Sequence, residues 1–288
     1  MLNIAGFGVV LGMVFGGYLA AGGKIGIIIA ALPFELMMIG GAAVGAFLIA
    51  NDMHVIKATF GDLKRIMKGA HWHKSDYQDL LCLLHALIKL GRRDAVALET
   101  HIEEPDNSPI FQAYPRILAD HTARDMICDT LRVSMMNYDD PNQLEPVLEK
   151  QLDAKLKSEL HTTHALQNLA DGLPALGIVA AVLGIIKTMA SIDQPPEILG
   201  KMIGAALVGT FLGVFLSYGF VAPITARIKG AIEEDHHFYE LIRDTLVNNL
   251  HRHSPQICVE VARQHLPHHV KPSFDGLDEA LKSAGEAA

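Results

Sequence analysis

The sequence predicts an all-α membrane protein with four transmembrane helices, a large helical cytoplasmic domain inserted between helices 2 and 3, and a cytoplasmic C-terminal tail. Three observations predict this fold class. Half of the 288 residues are hydrophobic although 19% are charged, and the two kinds occupy different stretches of the chain. Four apolar stretches approach the roughly 20 residues that a helix needs to cross a bilayer. The charged stretches show a helical spacing of apolar residues and no strand alternation.

The four apolar stretches are named spans 1 to 4. Spans 1 (1–23) and 4 (202–224) carry no charge, span 2 (25–50) carries only Glu35, and span 3 (172–192) carries only Lys187. Lys187 lies near the end of its span, where a long side chain can reach the membrane surface. Span 1 lacks the basic start and the cleavage site of a signal peptide, so we expect it to be retained.

The positive charges predict the orientation. Of the 24 Lys and Arg residues, 14 fall in 51–171 and 7 fall in 225–288. Because cytoplasmic segments carry the excess of Lys and Arg, both segments and both termini are predicted to be cytoplasmic. The predicted domains are spans 1 and 2 (1–50), a cytoplasmic helical domain (51–171), spans 3 and 4 (172–224) and a cytoplasmic helical tail (225–288).

The inserted domain is predicted to be helical. Over residues 77–90 the apolar positions follow a helical period. Residues 106–109, with the sequence DNSP, predict a break. Helical patterning then resumes over 118–136 and 144–169.

Glu35 is the one acidic residue within a predicted span, and it admits two interpretations. An ionisable residue inside a membrane is by default a candidate functional site. Alternatively, Pro33-Phe34-Glu35 marks the outer boundary of span 2, which then begins at Leu36. Its flanking position favours the boundary, so no span is expected to hold a central ion-binding acid, and a second chain would supply one.

Small residues recur every four positions in span 1 (Gly8, Gly12 and Gly16) and in span 4 (Gly209 and Gly213). This spacing lets helices pack backbone to backbone in lipid. Both spans are therefore expected to have close helical neighbours.

Two prolines lie in spans 3 and 4. A proline inside a helix removes a backbone donor and weakens the preceding turn. Pro174 follows Asp171 and fits an ordinary helix start as well as an interior position. Pro223 fits either a hinge or a helix boundary.

Several classes of function are excluded. The net charge is −8 and the sequence has no basic stripe, so nucleic acid is not an expected partner. Among the 15 histidines, four pairs are adjacent or alternate in sequence: His71 and His73, His236 and His237, His251 and His253, and His268 and His269. This is not the spacing of a metal-binding helix face, so we expect solvated histidines and no metal site. The sequence has no Walker loop, nucleophile elbow or paired carboxylates, which predicts no enzymatic activity and no cofactor.

The sequence resembles the MotA family of flagellar motor stators along nearly its whole length. Span 3 carries this resemblance in GLPALGIVAA (172–181), and span 4 carries it in VGTFLG (208–213) and SYGFVAP (217–223). Supporting matches are Gly16-Gly17, PFEL (33–36) and YPRILAD (114–120).

The resemblance implies a torque-generating subunit of the bacterial inner membrane. Such subunits form a ring, expected to be pentameric, around a dimer of a MotB-type partner, which is a single-span, peptidoglycan-binding protein that supplies the ion-carrying aspartate. Their cytoplasmic domains act on a rotor switch protein of the FliG type. Pro174 and Pro223 match the family's two functional prolines, and Thr210 matches the threonine that faces the conducted ion.

The resemblance also predicts the coupling ion and the rotor contact. Sodium-type members carry threonines at the positions of Ala181 and Gly209, which here have no side-chain oxygen, so protons are expected. The family's rotor-facing charges are an Arg eight residues before a Glu. Glu99 fits the Glu, but the residue eight positions before it is Gly91, and Arg92 and Arg93 follow directly. A shift of one or two residues on the same helix would preserve the contact, since Arg92 and Glu99 are seven residues apart and share a face.

Four alternatives stay open at this stage. A sodium-driven stator would differ only in its ion. A subunit of the ExbB/TolQ type would have one span, a cytoplasmic domain and then two spans. A self-sufficient channel or transporter would need its own polar site within the spans, for which Thr210 and Ser217 offer little. A membrane scaffold would transport nothing.

Overall fold

The computed structural model describes residues 2–63, 69–136 and 140–286, and within them it contains helices and no strands. This confirms the predicted fold class. The helices are α1 (Leu2–Ala20), α2 (Ile25–Ala50), α3 (Met53–Asp62), α4 (Lys74–Arg93), α5 (Ala95–Glu103), α6 (Pro109–Gln112), α7 (Pro115–Ala119), α8 (His121–Met135), α9 (Pro141–Met189), α10 (Pro196–Leu250), α11 (Pro255–His265) and α12 (Phe274–Glu286). Met1, with which predicted span 1 begins, and the C-terminal Ala288 lie outside the described residues.

Four helices are long and apolar enough to cross a membrane: α1, α2, α9 and α10. They correspond to the four predicted spans in order, although the helices of spans 1 and 3 end at Ala20 and Met189, three residues before the predicted ends. The third and fourth are much longer than their spans, at 49 and 55 residues, because charged sequence continues each helix without a break. The helix predicted over 144–169 and span 3 are therefore one element.

The described residues divide into two compact units. Unit 1 comprises residues 1–69 and 158–231, and unit 2 comprises residues 70–157 and 232–288. Helices α9 and α10 each contribute residues to both units. The predicted domain boundaries at residues 51, 172 and 225 concern the membrane surface, and they stay a prediction.

Unit 1 has a small core made where α2, α9 and α10 meet. Its fully buried apolar residues are Ile39, Ala43, Leu173, Ala180 and Leu212. Helix α1 packs on α10 through aromatic rings: Phe7 stacks on Phe220, and Phe15 meets Phe215 edge to face. Many large apolar side chains of these helices are exposed in the single chain, as expected for helices surrounded by lipid or by other spans.

Unit 2 has a larger core. Trp72, Tyr77, Phe111 and Phe238 are almost fully buried among leucines of α4. The predicted helix at 77–90 is confirmed as α4, and the predicted break at 106–109 is confirmed by a 3₁₀ turn at Pro105–Asn107 followed by Ser108, which caps α6. The segment 118–136 is less continuous than predicted, because Asp120 ends α7 and caps α8.

Candidate functional site: a buried carboxylate between packed spans

Helices α9 and α10 approach each other backbone to backbone. A Cβ atom placed on Gly177 would lie 2.7 Å from the Gly209 carbonyl oxygen, and one on Gly213 would lie 2.6 Å from the Leu173 carbonyl oxygen. No side chain fits at either distance, so glycine is required at both positions. The predicted close packing of Gly209 and Gly213 is confirmed. Around Gly8, Gly12 and Gly16 no other helix of the described residues comes within 4 Å of the Cβ position, so for span 1 the prediction stays open.

Glu35 lies inside α2 and is buried, so the helix does not begin at Leu36; the place where α2 meets the membrane surface stays a prediction. The helix begins at Ile25, ten residues before Glu35. At 1.5 Å per residue, Glu35 lies about 15 Å along α2, which is half the thickness of a bilayer's hydrocarbon core. The side chain is 5% exposed. Its Oε2 atom lies 2.6 Å from the Cβ position of Gly209, and among the described residues it has no hydrogen-bond partner.

Span length could have identified Glu35. If span 2 began at Leu36, only 15 residues would remain before Asn51, fewer than the roughly 20 that a crossing helix needs. An adequate span therefore has to include Glu35. The proline at Pro33 obscured this, because it suggested a boundary, whereas the helix continues through it and widens to a π-helical turn at Leu36–Gly40.

The residues predicted to line the ion pathway point in different directions. Gly209 faces Glu35 and Ala180, and Ala181 is buried one position further along α9. Thr210 is half-buried and shares a face of α10 with three exposed apolar side chains, those of Ile203, Leu207 and Val214. The Thr210 face is therefore open in the single chain, whereas the Gly209 face is closed by Glu35.

Both prolines lie inside long helices, so the helix-start interpretation of Pro174 and the boundary interpretation of Pro223 were wrong. Pro174 is half-buried in α9, immediately after the Leu173 carbonyl that meets Gly213. Pro223 follows a π-helical turn at Ser217–Val221 of α10, and such turns are frequent at functional sites. Pro223 also lines a cavity of about 370 Å³ together with Tyr218 and Arg227.

The predicted rotor-facing charges do not lie on one helix, so that part of the prediction was wrong. Helix α4 ends at Arg93, and Asp94 starts α5 by accepting a hydrogen bond from the Ala97 N–H, which places Glu99 on the next helix. The Arg92 guanidinium donates to Asn249 Oδ1 at 2.8 Å and to the His253 carbonyl oxygen, so it is bound to the end of α10 and the loop beyond it. Arg93 and Glu99 are exposed.

The YPRILAD segment stabilises unit 2. Arg116 donates to both carboxylate oxygens of Asp76 at 2.7 Å and to the His71 carbonyl oxygen at 2.8 Å, and it lies 5.8 Å above the Trp72 ring. Asp76 is 3% exposed whereas the Arg116 side chain is 47% exposed, so a buried carboxylate is paired with a half-exposed cation.

His265 and His269 contact carboxylates within unit 2. His265 Nδ1 lies 2.8 Å from Asp244 Oδ2, and His269 Nε2 lies 2.9 Å from Glu234 Oε1. Among the described residues, no three His, Cys, Asp or Glu side chains converge as metal ligands would.

Comparisons with known proteins agree with this arrangement. Residues 4–95 match the family described as Motility protein A N-terminal, and residues 118–240 match the MotA/TolQ/ExbB proton channel family. Motility protein A of Salmonella typhimurium is 37% identical over 284 residues, which cover 98% of this chain and 96% of that protein. The chemotaxis protein LafT of Vibrio parahaemolyticus is 35% identical over 282 residues, 98% of each chain.

Solved structures share the fold. The flagellar MotAB stator complex from Bacillus subtilis contains a chain that matches with a TM-score of 0.69 and 19% identity over 98% of each chain. A chain of the MotAB structure from C. jejuni matches with a TM-score of 0.70 and 17% identity, covering 92% of this chain and 95% of that one. The families matched are channel and stator families, in agreement with the prediction of no enzymatic activity. The chain belongs to the MotA family of flagellar stator proteins, multi-pass membrane proteins within the MotA/TolQ/ExbB proton channel family.

Proposed function

We propose that this chain, with a MotB-type partner, conducts protons across the bacterial inner membrane and converts their flow into torque on the flagellar rotor. The observation that carries this proposal is Glu35, a carboxylate buried among apolar spans with one oxygen lacking a hydrogen-bond partner in the described chain. Such a group is costly in a membrane unless it serves a function. The family membership reported above places it in a protein class that carries ions.

The surroundings of Glu35 favour protons over sodium. A sodium ion needs several oxygen ligands to replace its water, whereas a proton needs a single acceptor. The Glu35 carboxylate lies against Gly209, and Ala180 lies against the same glycine; neither Gly209 nor Ala180 has a side-chain oxygen. Ala181 also lacks one, which leaves Thr210 as the side-chain oxygen of the predicted pathway, and it lies on another face of α10.

The open faces of the spans support assembly with other chains. On α9 the exposed residues Ile178, Val182 and Ile185 form one apolar stripe. On α10 Thr210 lies within a second apolar stripe, where a partner's helix could bring its own carboxylate to the threonine. We propose a homo-oligomer, a pentameric ring around a partner dimer, with lipid covering the remaining apolar surface.

The rotor contact is proposed to involve Arg93 and Glu99. Both are exposed near the start of α5, where a FliG-type rotor protein could reach them. Arg92 shapes the same region, because its guanidinium joins the end of α4 to Asn249.

The proposed orientation can be tested with reporter fusions. Because 21 of the 24 Lys and Arg residues lie in two segments, fusions near residue 100 and at the C-terminus should report the cytoplasm. A fusion near Asp193, between α9 and α10, should report the outside. A periplasmic signal near residue 100 would contradict the proposed topology.

The proposed function can be tested in a bacterium that lacks its own stators. Expression of this chain with a MotB-type partner should restore swimming, which a protonophore should abolish and removal of sodium at constant pH should leave unchanged. Expression without the partner should restore no swimming and no proton flux, which separates this proposal from a self-sufficient channel. Swimming speed that follows external sodium at fixed proton-motive force would assign the sodium-driven alternative.

A matched pair of variants tests the role of Glu35. Glu35→Gln keeps the size of the side chain and removes the exchangeable proton, so swimming should be lost or severely slowed at normal expression. Glu197→Gln makes the same change at an exposed residue in the first turn of α10 and should swim normally. Normal swimming of both variants would remove Glu35 from the proposed pathway.

A further inference from the structure

One hydrogen bond joins α9 to α10 in the interior of unit 1. The Ser217 hydroxyl of α10 donates to the Ala170 carbonyl oxygen of α9 at 2.6 Å. Ser217 is 1% exposed and Ala170 is fully buried. A hydroxyl in a membrane helix can bond to a carbonyl of its own helix, so a short bond to another helix needs a reason.

The reason lies four residues after Ala170. In an α-helix, the carbonyl of residue 170 accepts a hydrogen bond from the N–H of residue 174. Residue 174 is proline, which has no N–H, so the carbonyl of Ala170 loses its helical partner. A buried carbonyl without a partner is destabilising. The Ser217 hydroxyl takes the place of the missing N–H.

The close packing of the two helices makes this bond geometrically accessible. The Leu173 carbonyl oxygen would lie only 2.6 Å from a Cβ on Gly213, so the backbones are in direct contact beside Pro174. Gly213 precedes Ser217 by one turn of α10. A side chain as short as serine can therefore span the gap.

Ser217 also begins the altered turn before the second proline. The π-helical turn of α10 runs over Ser217–Val221, and Pro223 follows it. One hydroxyl thus connects the turn weakened by Pro174 to the start of the turn that precedes Pro223.

We propose that Ser217 is a positioning residue for the coupling of ion flow to movement. Its hydroxyl holds the proline-weakened turn of α9 in a defined position against α10, and release of this bond lets the Pro174 and Pro223 segments move. This role rests on the proposed stator function. A single hydrogen bond changes the ratio of two conformations by roughly five- to tenfold, which is enough to favour one position and weak enough to be broken repeatedly.

The first test compares two serine variants in the full chain co-expressed with its partner. Ser217→Ala removes the hydroxyl alone, and it should assemble at the wild-type level but swim several times more slowly. Ser191→Ala is the matched control, because the Ser191 hydroxyl donates within its own segment, to the Lys187 carbonyl oxygen at 3.3 Å. It should swim at wild-type speed.

The second test measures the bond itself. The chain has two Ala–Asp pairs, 119–120 and 170–171. Labelling alanine carbonyls with ¹³C and aspartate nitrogens with ¹⁵N therefore selects two carbonyl signals of this chain in the NMR spectrum, and Asp171→Glu identifies that of Ala170. Ser217→Ala should shift the Ala170 signal upfield and leave the Ala119 signal in place.

Pro174→Ala provides the internal control, because it restores an N–H for the Ala170 carbonyl. In that background, Ser217→Ala should no longer shift the Ala170 signal, and it should lower the thermal midpoint of the complex by much less than in the native background. The proposed hydrogen bond would be contradicted if Ser217→Ala had equal effects in the native and Pro174→Ala backgrounds. It would also be contradicted if Ser217→Ala shifted the Ala170 signal in neither background. A shifted Ala170 signal with unchanged swimming would overturn the positioning role. A wild-type chain that supports no proton-dependent swimming would overturn the proposed function instead, and the NMR result would stand apart from it.

Discussion

The two units bury their apolar residues in opposite ways. Unit 2 surrounds Trp72, Tyr77, Phe111 and Phe238 with leucines, as a water-soluble domain does. Unit 1 buries few large side chains, and its closest contacts join glycine backbones to carbonyl oxygens. The same chain therefore uses two kinds of packing.

The solvent explains this difference. In water, removing large apolar side chains from solvent is itself stabilising, at about 25 cal/mol per Å². In lipid, an apolar side chain gains little by moving from lipid to protein, so helices associate through close van der Waals contact and a few hydrogen bonds. Unit 1 should consequently be most sensitive to added volume, and unit 2 to lost contacts and buried charge.

The largest effect is expected from Gly213→Ala in unit 1. The added methyl would lie 2.6 Å from the Leu173 carbonyl oxygen, and relieving this overlap should cost about 3 kcal/mol. The fraction of complex that stays assembled after heating, measured by gel filtration, should fall sharply, and swimming should be lost. Gly200→Ala adds the same methyl on α10 where nothing lies within 4 Å. An equally stable Gly213→Ala variant would show that unit 1 does not depend on backbone contact.

A smaller effect is expected from Arg116→Ala in unit 2. The change leaves buried Asp76 without its cation, which should destabilise unit 2 by about 2 kcal/mol. Trp72 is the chain's one tryptophan and stacks on Phe238 at 3.8 Å, so its fluorescence reports thermal unfolding of this unit.

Arg124→Ala is the control for that measurement. Its carboxylate partners Asp106 and Asp125 are 75% and 57% exposed, and exposed pairs contribute little. Equal thermal unfolding midpoints for Arg116→Ala and Arg124→Ala would show that the Arg116–Asp76 pair does not stabilise the core of unit 2.

The smallest effect is expected from His85. Burial, and secondarily the Lys89 charge, lower the pKa of His85 from 6.5. Below pH 6.5 the unfolded chain therefore binds a proton that the folded chain does not. Unit 2 should lose stability as the pH falls, by at most about 1.4 kcal/mol per pH unit until His85 titrates in the folded chain.

His85→Leu removes the buried ring nitrogen, Nε2, which has no hydrogen-bond partner in the described chain. The thermal unfolding midpoint of this variant, followed by Trp72 fluorescence, should depend less on pH between 7 and 5 than that of the wild type. His121→Leu, at an exposed position of α8, should keep the wild-type dependence. If the thermal midpoint of His85→Leu depended on pH as strongly as that of the wild type, His85 would be excluded as the source of the pH dependence.

The spacing of residues along the chain predicted some features of the structure correctly and others wrongly. The helix at 77–90 and the small-residue contacts of span 4 followed from spacing, because a helix places residues three and four apart on one face. Arg92 and Glu99 also have helical spacing, yet Asp94 separates them by starting a new helix. Pro33, Pro174 and Pro223 suggested helix ends or span boundaries, but each of them lies inside a long helix.

The sequence by itself determined the four spans and the all-α class. This is because lipid requires long uncharged stretches whose backbone hydrogen bonds are satisfied within the helix. Tertiary structure alone decided that Glu35 faces Gly209, that Ser217 bonds to Ala170 and that Arg92 is held by Asn249. The last two contacts join residues 47 and 157 positions apart. Such contacts depend on which helix faces meet, and no local spacing encodes that.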